Sequence, residues 1–483
     1  MHNVLLLIGN RDVAASTGAV FERLNPLTRA VATRAAAATV GDARAAADAA
    51  GAAFPAWSAL GPNVRREFLL RAADKLEDRI EEFGAAMAVE IGATKSWTQF
   101  NVHLGAAMLR EAASLTTQVT GEVIPSDQPG CLSLTQRRPI GVVLGMAPWN
   151  APVILGVRAI ATPLACGNTV VLKASEVCPA THRLIGDALC KAGLPPGVLN
   201  IVTTSRESAG EIAAALIAHS AVRRINFTGS TQVGRLIARL AAEHLKPVLL
   251  ELGGKAPLIV LDDADLDEAI AAATFGAFMN SGQICMSTER IIVDEKVADR
   301  FIEKLRAKSA TLLAGDPALG ETPLGSVADL NAAARIRSLI EDATAKGANL
   351  HEAAPAQGTL LSAAILTDVT ADMRIYEEES FGPVVAVLRA KDDADAVRLA
   401  NNSGYGLTSA VFSRDISRAL KVADQIDAGM CHINGATVHD EAQMPFGGTK
   451  QSGYGRFGGK AGIAEFTELR WITIATQPNR YPI

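Results

Sequence analysis

The chain has 483 residues, of which 49% are apolar and 20% charged, with a formal net charge of −5. That length and composition suit two or three globular domains with sizeable cores. A mildly acidic balance without any basic run gives no reason to expect nucleic-acid binding. The six cysteines (Cys131, Cys166, Cys178, Cys190, Cys285 and Cys431) are scattered and form no C-x-x-C pair, which suits a reducing compartment.

In chain order, the first feature is a short apolar run, Val4 to Ile8, with no basic flank and too little length for a signal peptide. A cytoplasmic protein is expected. Alanine-rich tracts over 35–53 are expected to be helical. Over 122–138 the turn residues Pro125, Asp127, Pro129 and Gly130 precede alternating Leu132 and Leu134, the pattern of a projecting hairpin. Residues 140–157 carry no charge for eighteen positions, the lower limit for a membrane span. Pro148, Trp149, Asn150 and Pro152 interrupt them, and irregular backbone is costly in lipid. A buried strand, a loop and a helix start are expected there, and no membrane association.

A regular alternation follows. Strands are expected at Val142–Leu144, Thr169–Leu172, Val198–Val202, Arg224–Phe227 and Pro247–Leu250. Helices at Ala151–Leu164, Ala180–Lys191, Glu207–His219 and Thr231–His244 fall between them. This is the pattern of an α/β fold with a doubly wound parallel sheet, which binds ligands beyond the carboxyl ends of its strands. A second α/β series begins with strand Pro257–Val260 and a helix that Asp265 caps, with Glu268 as a capping-box partner. Strands near Ile291, Val384, Ser409 and Cys431 then alternate with helices at 295–313, 331–346, 393–401 and 416–426. The tail, Leu469 to Ile474, reads as a strand with nothing after it to cover it. Such a strand pairs with another subunit or folds back on its own chain. The first outcome, a homo-oligomer, is favoured.

The ends of the first strand series carry polar clusters: Met146-Ala147-Pro148-Trp149-Asn150, Lys173-Ala174-Ser175-Glu176, Phe227-Thr228-Gly229-Ser230 and Glu251-Leu252-Gly253-Gly254-Lys255. Any one alone is weak, since Lys and Glu at strand ends are usually solvated. Gly229 to Gly234 resembles a phosphate-binding turn, although it reads G-x-T-x-x-G. The literal G-x-G-x-x-G, Gly453 to Gly458, follows no apolar strand and is expected to be a plain loop. The histidines are scattered, so no metal site is expected. A lone cysteine is usually a small buried hydrophobe. Cys285 lies in a polar Gly/Ser loop, and Glu251 ends an apolar strand thirty-four residues upstream, which makes it a candidate nucleophile.

These clusters, with Gly282-Gln283-Ile284-Cys285 and Glu379-Ser380-Phe381-Gly382-Pro383, resemble the aldehyde dehydrogenase superfamily over nearly the whole chain. The resemblance implies a cofactor domain (1–121 and 139–251), a second α/β catalytic domain (252–450), and a β oligomerisation element (122–138 and 451–483) that builds a homodimer or homotetramer. It implies NAD, held by Met146, Ala147, Pro148, Trp149, Lys173, Ser175, Glu176, Phe227, Thr228, Gly229, Ser230, Val233, Leu252 and Gly253. Glu379 and Phe381 match the residues that hold the nicotinamide riboside. A carboxylate at Glu176 would repel a 2′-phosphate and so favours NAD over NADP.

The same resemblance implies that Cys285 adds to an aldehyde, that the Asn150 amide and the Cys285 backbone N–H form an oxyanion hole, and that Glu251 is the base for the thiol, the hydrolytic water, or both. Against these stand plainer roles: a salt-bridged Glu251, a surface Glu379 and a core Phe381. The substrate tunnel is expected at Trp97, Leu104, Ile154, Arg158, Ile284, Met286 and Phe446, and the sequence around it resembles the branch acting on aromatic aldehydes of the salicylaldehyde and vanillin type. Three readings of Arg158 stand side by side. It meets a ring oxygen of the substrate, it meets the carboxylate of an aliphatic semialdehyde, or it turns away into a surface ion pair. A non-catalytic NAD-binding protein is the reading from a different class, and the presence of Cys285, Glu251 and Asn150 argues against it.

Overall fold

Two large α/β sheets and two three-stranded sheets hold the strands of the computed structural model, which describes residues 1–478, 481 and 483. The first large sheet runs in the order Gly453–Tyr454, Val248–Glu251, Val222–Thr228, Val142–Met146, Thr169–Lys173, Leu199–Val202, Leu6–Ile8, Arg11–Val13. Its five central strands are parallel. They are apolar on both faces because helices cover both. Val143, Val170, Leu172, Leu199 and Ile201 pack with helices Lys95–Leu115 and Pro152–Ala165. The alternate residues Val142, Leu144, Met146 and Val171 pack with helices Val40–Ser58 and Ala209–Ala218 on the other face, the period-2 consequence of the pleat. The winding reverses between Val142–Met146 and Val222–Thr228, where Met146 lies beside Phe227. The cofactor-type strand ends predicted from the sequence therefore meet at the switch point of the sheet.

The uncharged stretch at 140–157 forms strand Val142–Met146, a loop, and the start of helix Pro152–Ala165. Among the described residues no helix is long and apolar enough to cross a membrane. The alanine-rich tract divides differently from expectation. Residues Val31–Ala36 form a strand between His2–Val4 and Val20–Leu24, and the helix starts only at Val40. Thr39 and Asp42 close a capping box there, and that cap sets the boundary where alanine content does not.

The second sheet has the order Asn349–Glu352, Ala364–Thr367, Val384–Ala390, Thr288–Asp294, Ala256–Val260, Thr408–Phe412, Met430–Ile433, with only the first strand antiparallel. Asp265 caps helix Leu266–Phe278 by accepting the N–H groups of Asp267 and Glu268. Strand Val248–Glu251 leaves the first sheet at its carboxyl edge, and four residues later Ala256–Val260 enters the second at its amino edge. The crossing is glycine for steric reasons. A Cβ on Gly254 would stand 2.3 Å from the Cys285 carbonyl oxygen, and one on Gly253 would stand 2.8 Å from a Glu379 carboxylate oxygen.

The hairpin and the tail form one sheet within the chain. Thr467–Ala475 pairs antiparallel with Cys131–Pro139 along its whole length, and Val123–Ile124 flanks the other side. Val123, Ile124, Leu132, Leu469, Trp471 and Ile474 remain exposed on it. The stretch 451–466, expected to belong with the tail, sits elsewhere. Gly453–Tyr454 is the edge strand beside Val248–Glu251, helix Gly459–Glu465 packs on Lys95–Leu115, and Glu465 pairs with the mostly buried Arg224. A two-residue strand leaves no periodicity to read, so its place was not visible in the sequence. Gly453 lies opposite Glu251 with φ +103°, ψ −162°, and a Cβ there would be 2.0 Å from the Leu250 oxygen. Gly453→Ala is expected to cost about 2 kcal/mol or more and lower the melting temperature, since that backbone region is nearly glycine-only. Thermal unfolding of the variant checks it.

Candidate active site

Glu251 ends its strand with a side chain that is 1% exposed, and neither carboxylate oxygen has a well-formed hydrogen bond. Burial pushes its carboxyl up to about 7; the nearby Arg158 charge, the Cys285 thiol and the Thr228 hydroxyl offset this only in part. The salt-bridged alternative for Glu251 does not hold, because among the described residues neither of its oxygens has a well-formed bonding partner. Burial and the neighbouring Glu251 charge together hold the Cys285 thiol well above its ordinary pKa. The Glu251 carboxyl and the Cys285 thiol thus stand next to each other, and each shifts the other's affinity for protons.

Cys285 follows an unusual turn. Asn280 and Ser281 have φ of 51° and 54°, and Gly282 has φ 70°. A Cβ on Gly282 would overlap the Gly382 oxygen at 2.0 Å. Asn150, 3% exposed, donates one amide hydrogen to the Gln283 carbonyl at 2.9 Å. Asn150 also lines a cavity, and among the described residues its amide has no second acceptor.

That cavity has a volume of about 260 Å³ and opens on Cys285. Of the residues expected around it, Trp97, Ile154, Arg158, Ile284, Met286 and Phe446 line it. Leu104 does not. It stands seven residues beyond Trp97, roughly 10 Å along the helix axis, and packs against the core beside helix neighbours instead. Phe100, Leu155, Phe275, Val438, His439 and Asp440 line the cavity without having been foreseen. Trp97 is held in place: its indole N–H donates to the Asn150 carbonyl at 3.0 Å and its ring stacks on Phe100 at 5.5 Å.

Arg158 neither turns to the surface nor stands free. It is 6% exposed, pairs with Asp440, and lies over the Phe446 ring at 4.1 Å. Asp440 was the residue most completely hidden from the sequence, since its partner is 282 positions away.

At the carboxyl edge of the first sheet stand Met146, Ala147, Pro148 and Trp149, then Lys173, then Phe227 and Thr228, then Leu252 and Gly253. Lys173 Nζ is 3.9 Å from Glu176 and donates to the Ala174 carbonyl. Ser175 is spent on its own turn: its N–H donates to His182 Nδ1 and its hydroxyl accepts from Val177. Gly229 leaves no room for a Cβ beside the Phe227 ring, at 2.5 Å. Ser230 caps the thirteen-residue helix Thr231–Glu243 through the Val233 N–H, leaving other first-turn amides for an anion. Glu379 accepts the Gly254 N–H at 3.0 Å, and burial pushes its carboxyl up to about 7. Phe381 meets the Trp149 ring edge to face at 5.8 Å, with φ 47°. Among the described residues no group of three or more potential metal ligands occurs.

The chain matches the aldehyde dehydrogenase family over residues 13–472. It belongs to that family. It is 59% identical to a vanillin dehydrogenase of Pseudomonas fluorescens across all of both chains. A crystal structure of a salicylaldehyde dehydrogenase from Pseudomonas putida G7, complexed with salicylaldehyde, superposes with a TM-score of 0.98 at 52% identity over all of both chains. A structure of PnpE in complex with nicotinamide adenine dinucleotide superposes with a TM-score of 0.95 at 35% identity, covering 100% of this chain and 99% of that one. As an aldehyde dehydrogenase, the chain has the α/β fold of parallel-sheet domains expected from its sequence.

The raised Glu251 pKa has a consequence for stability. Below about pH 4.5 the carboxyl is protonated whether the chain is folded or unfolded, so it contributes nothing. Between about pH 4.5 and 7 the unfolded chain gives up this proton while the folded chain keeps it, so the buried carboxyl costs progressively more stability, and above about pH 7 that cost is constant. Glu251→Gln is therefore expected to raise the melting temperature more at pH 8 than at pH 5. An equal shift at both pH values would contradict the burial account.

Proposed function

We propose that this aldehyde dehydrogenase oxidises aromatic aldehydes, of the benzaldehyde, salicylaldehyde and vanillin type, to their carboxylic acids with NAD. The observation that carries it is the cavity at Cys285, apolar and aromatic on most sides, with Asn150 and His439 on its wall and one buried ion pair, Arg158 and Asp440. The vanillin and salicylaldehyde dehydrogenases that the chain resembles support the same substrate class.

The carboxyl edge of the first sheet fits a dinucleotide, because the bare Gly229 turn and the helix amides behind it suit a pyrophosphate. Lys173 and Glu176 would hold the adenosine ribose, and Glu379 and Phe381 the nicotinamide riboside. Bound there, NAD supplies the hydride acceptor. In this reading Glu251 takes the proton of the Cys285 thiol, and the sulfur bonds to the aldehyde carbon. The carbonyl oxygen becomes an alkoxide, held by the free hydrogen of the Asn150 amide and by the Cys285 backbone N–H. Loss of hydride from the carbon leaves an acyl thioester on Cys285. Glu251 releases the thiol's proton to solvent and then takes a proton from water as the water oxygen attacks the thioester carbon. Collapse of the adduct frees the acid and expels the Cys285 sulfur, which regains that proton from Glu251. A base whose pKa stands near neutrality suits both transfers.

Residues 1–121 and 139–251, joined by 451–466, would form the cofactor half, and 252–450 would supply the thiol. The exposed apolar face around Trp471 supports assembly as a homodimer or homotetramer, and six unpaired cysteines support a cytoplasmic setting.

The aliphatic semialdehyde reading is disfavoured by Asp440, which already neutralises Arg158 and would repel a substrate carboxylate. The pair offers a ring hydroxyl both a donor and an acceptor. We expect kcat/KM to rank salicylaldehyde, vanillin and benzaldehyde above succinic semialdehyde by about tenfold or more, with NADH formation abolished in Cys285→Ala. A preference for succinic semialdehyde, or NAD binding with no turnover of any aldehyde, would overturn the assignment. Replacing both members of the pair, Arg158→Met with Asp440→Leu, avoids stranding one buried charge and should lower kcat/KM for hydroxylated substrates more than for benzaldehyde. With NADP in place of NAD, kcat/KM should fall about tenfold or more, as Glu176 requires.

A further inference from the structure

We infer that Asn280 is a positioning residue for the oxyanion donor Asn150, an inference that rests on the proposed role of Asn150. The turn before Cys285 carries a conformational cost. A non-glycine residue in the left-handed region is uncommon, and two in succession, Asn280 and Ser281, place an unfavourable turn just before the nucleophile loop. Asparagine tolerates that region better than most residues, which would by itself explain its presence. Backbone tolerance alone, however, makes no demand on the side chain, and this side chain is engaged.

Its Nδ2 donates to the main-chain oxygen of Asn150 at 3.0 Å, across 130 residues of sequence, and makes a longer contact with the Gln283 carbonyl at 3.4 Å. The Gln283 carbonyl is the same oxygen that takes the Asn150 side-chain amide at 2.9 Å. Asn280 thus touches both ends of the donor: its backbone directly and its amide through a shared acceptor. The loop side is equally fixed. The Asn280 carbonyl accepts both the backbone N–H and the side-chain amide of Gln283 at 3.1 Å, while Ser281 donates to the Gly325 carbonyl. Gln283 stands two residues before Cys285, so one asparagine links the turn that presents the thiol to the strand-end loop that presents the oxyanion donor. Errors of about 1 Å in such an alignment can cost about a hundredfold in rate.

Asn280→Gly keeps the left-handed backbone without strain and removes only the tether. Asn280→Asp keeps size and backbone tolerance but presents a carboxylate where a donor is needed. Both variants are expected to lower kcat by about tenfold to a hundredfold while KM for NAD stays within about twofold of the unaltered enzyme. The deciding measurement is a double-mutant cycle. In an Asn150→Ala background, whose own kcat loss tests the role of Asn150 separately, Asn280→Gly should lower kcat by less than about twofold. Equal fold-losses in the two backgrounds would show a merely structural residue, and an unchanged kcat in both Asn280 variants would also overturn the inference. Should Asn280→Gly fail to fold, the same cycle run with Asn280→Asp decides it by the same criteria.

Discussion

A carboxylate buried beside a thiol, with no ion-pair partner among the described residues, is the constraint on which the rest of this site depends. Glu251 cannot be both salt-bridged and basic near neutral pH, because an ion pair would hold its pKa well below that range. Among the described residues the cation that acts on it is Arg158, and Asp440 pairs with that arginine. Asp440 therefore does more than balance a charge in the cavity: it leaves Glu251 with the raised affinity for protons that burial confers. The fold gives up stability at this point, and in the proposed mechanism that cost yields a base matched to a thiol and to water.

The geometry around that carboxylate comes from the way two sheets face each other. The carboxyl edge of one meets the amino edge of the other through Gly253 and Gly254, whose missing side chains let the chain pass against Glu379 and the Cys285 carbonyl. A second buried pair holds the opposite wall. Lys255 contacts Glu289 at 2.7 Å, and Glu289 accepts the Ser380 N–H, the Ser380 hydroxyl and the Phe381 N–H. Those bonds keep Phe381 in its positive-φ conformation against Trp149. Unlike Glu251, whose oxygens have no well-formed partner among the described residues, Glu289 is fully engaged and fixes structure.

Much of this was legible in the sequence where chemistry coincided with periodicity. Strand ends such as Lys173, Thr228 and Glu251 could be placed on one edge because the α/β alternation around them is regular. Trp97, Ile154 and Phe446 were placed in the tunnel by likeness to a known family. The same likeness placed Leu104 there, and the rise of the helix carries it out of reach. What stayed hidden were contacts between distant segments: Asp440 on Arg158, Asn280 on Asn150, and the short strand Gly453–Tyr454 beside Glu251. None has a local signature, since each depends on which loops the two sheets bring together. The capping box at Thr39 was readable in principle, and alanine content obscured it.

The central claim, that Glu251 and Cys285 titrate as one coupled pair in a desolvated site, is tested most directly by the rate of Cys285 alkylation by iodoacetamide as a function of pH. The account predicts a rise with an inflection near pH 7 from ionisation of Glu251, ahead of the thiol's own titration at higher pH, and loss of that first inflection in Glu251→Gln. A single thiol titration unchanged by Glu251→Gln would contradict it.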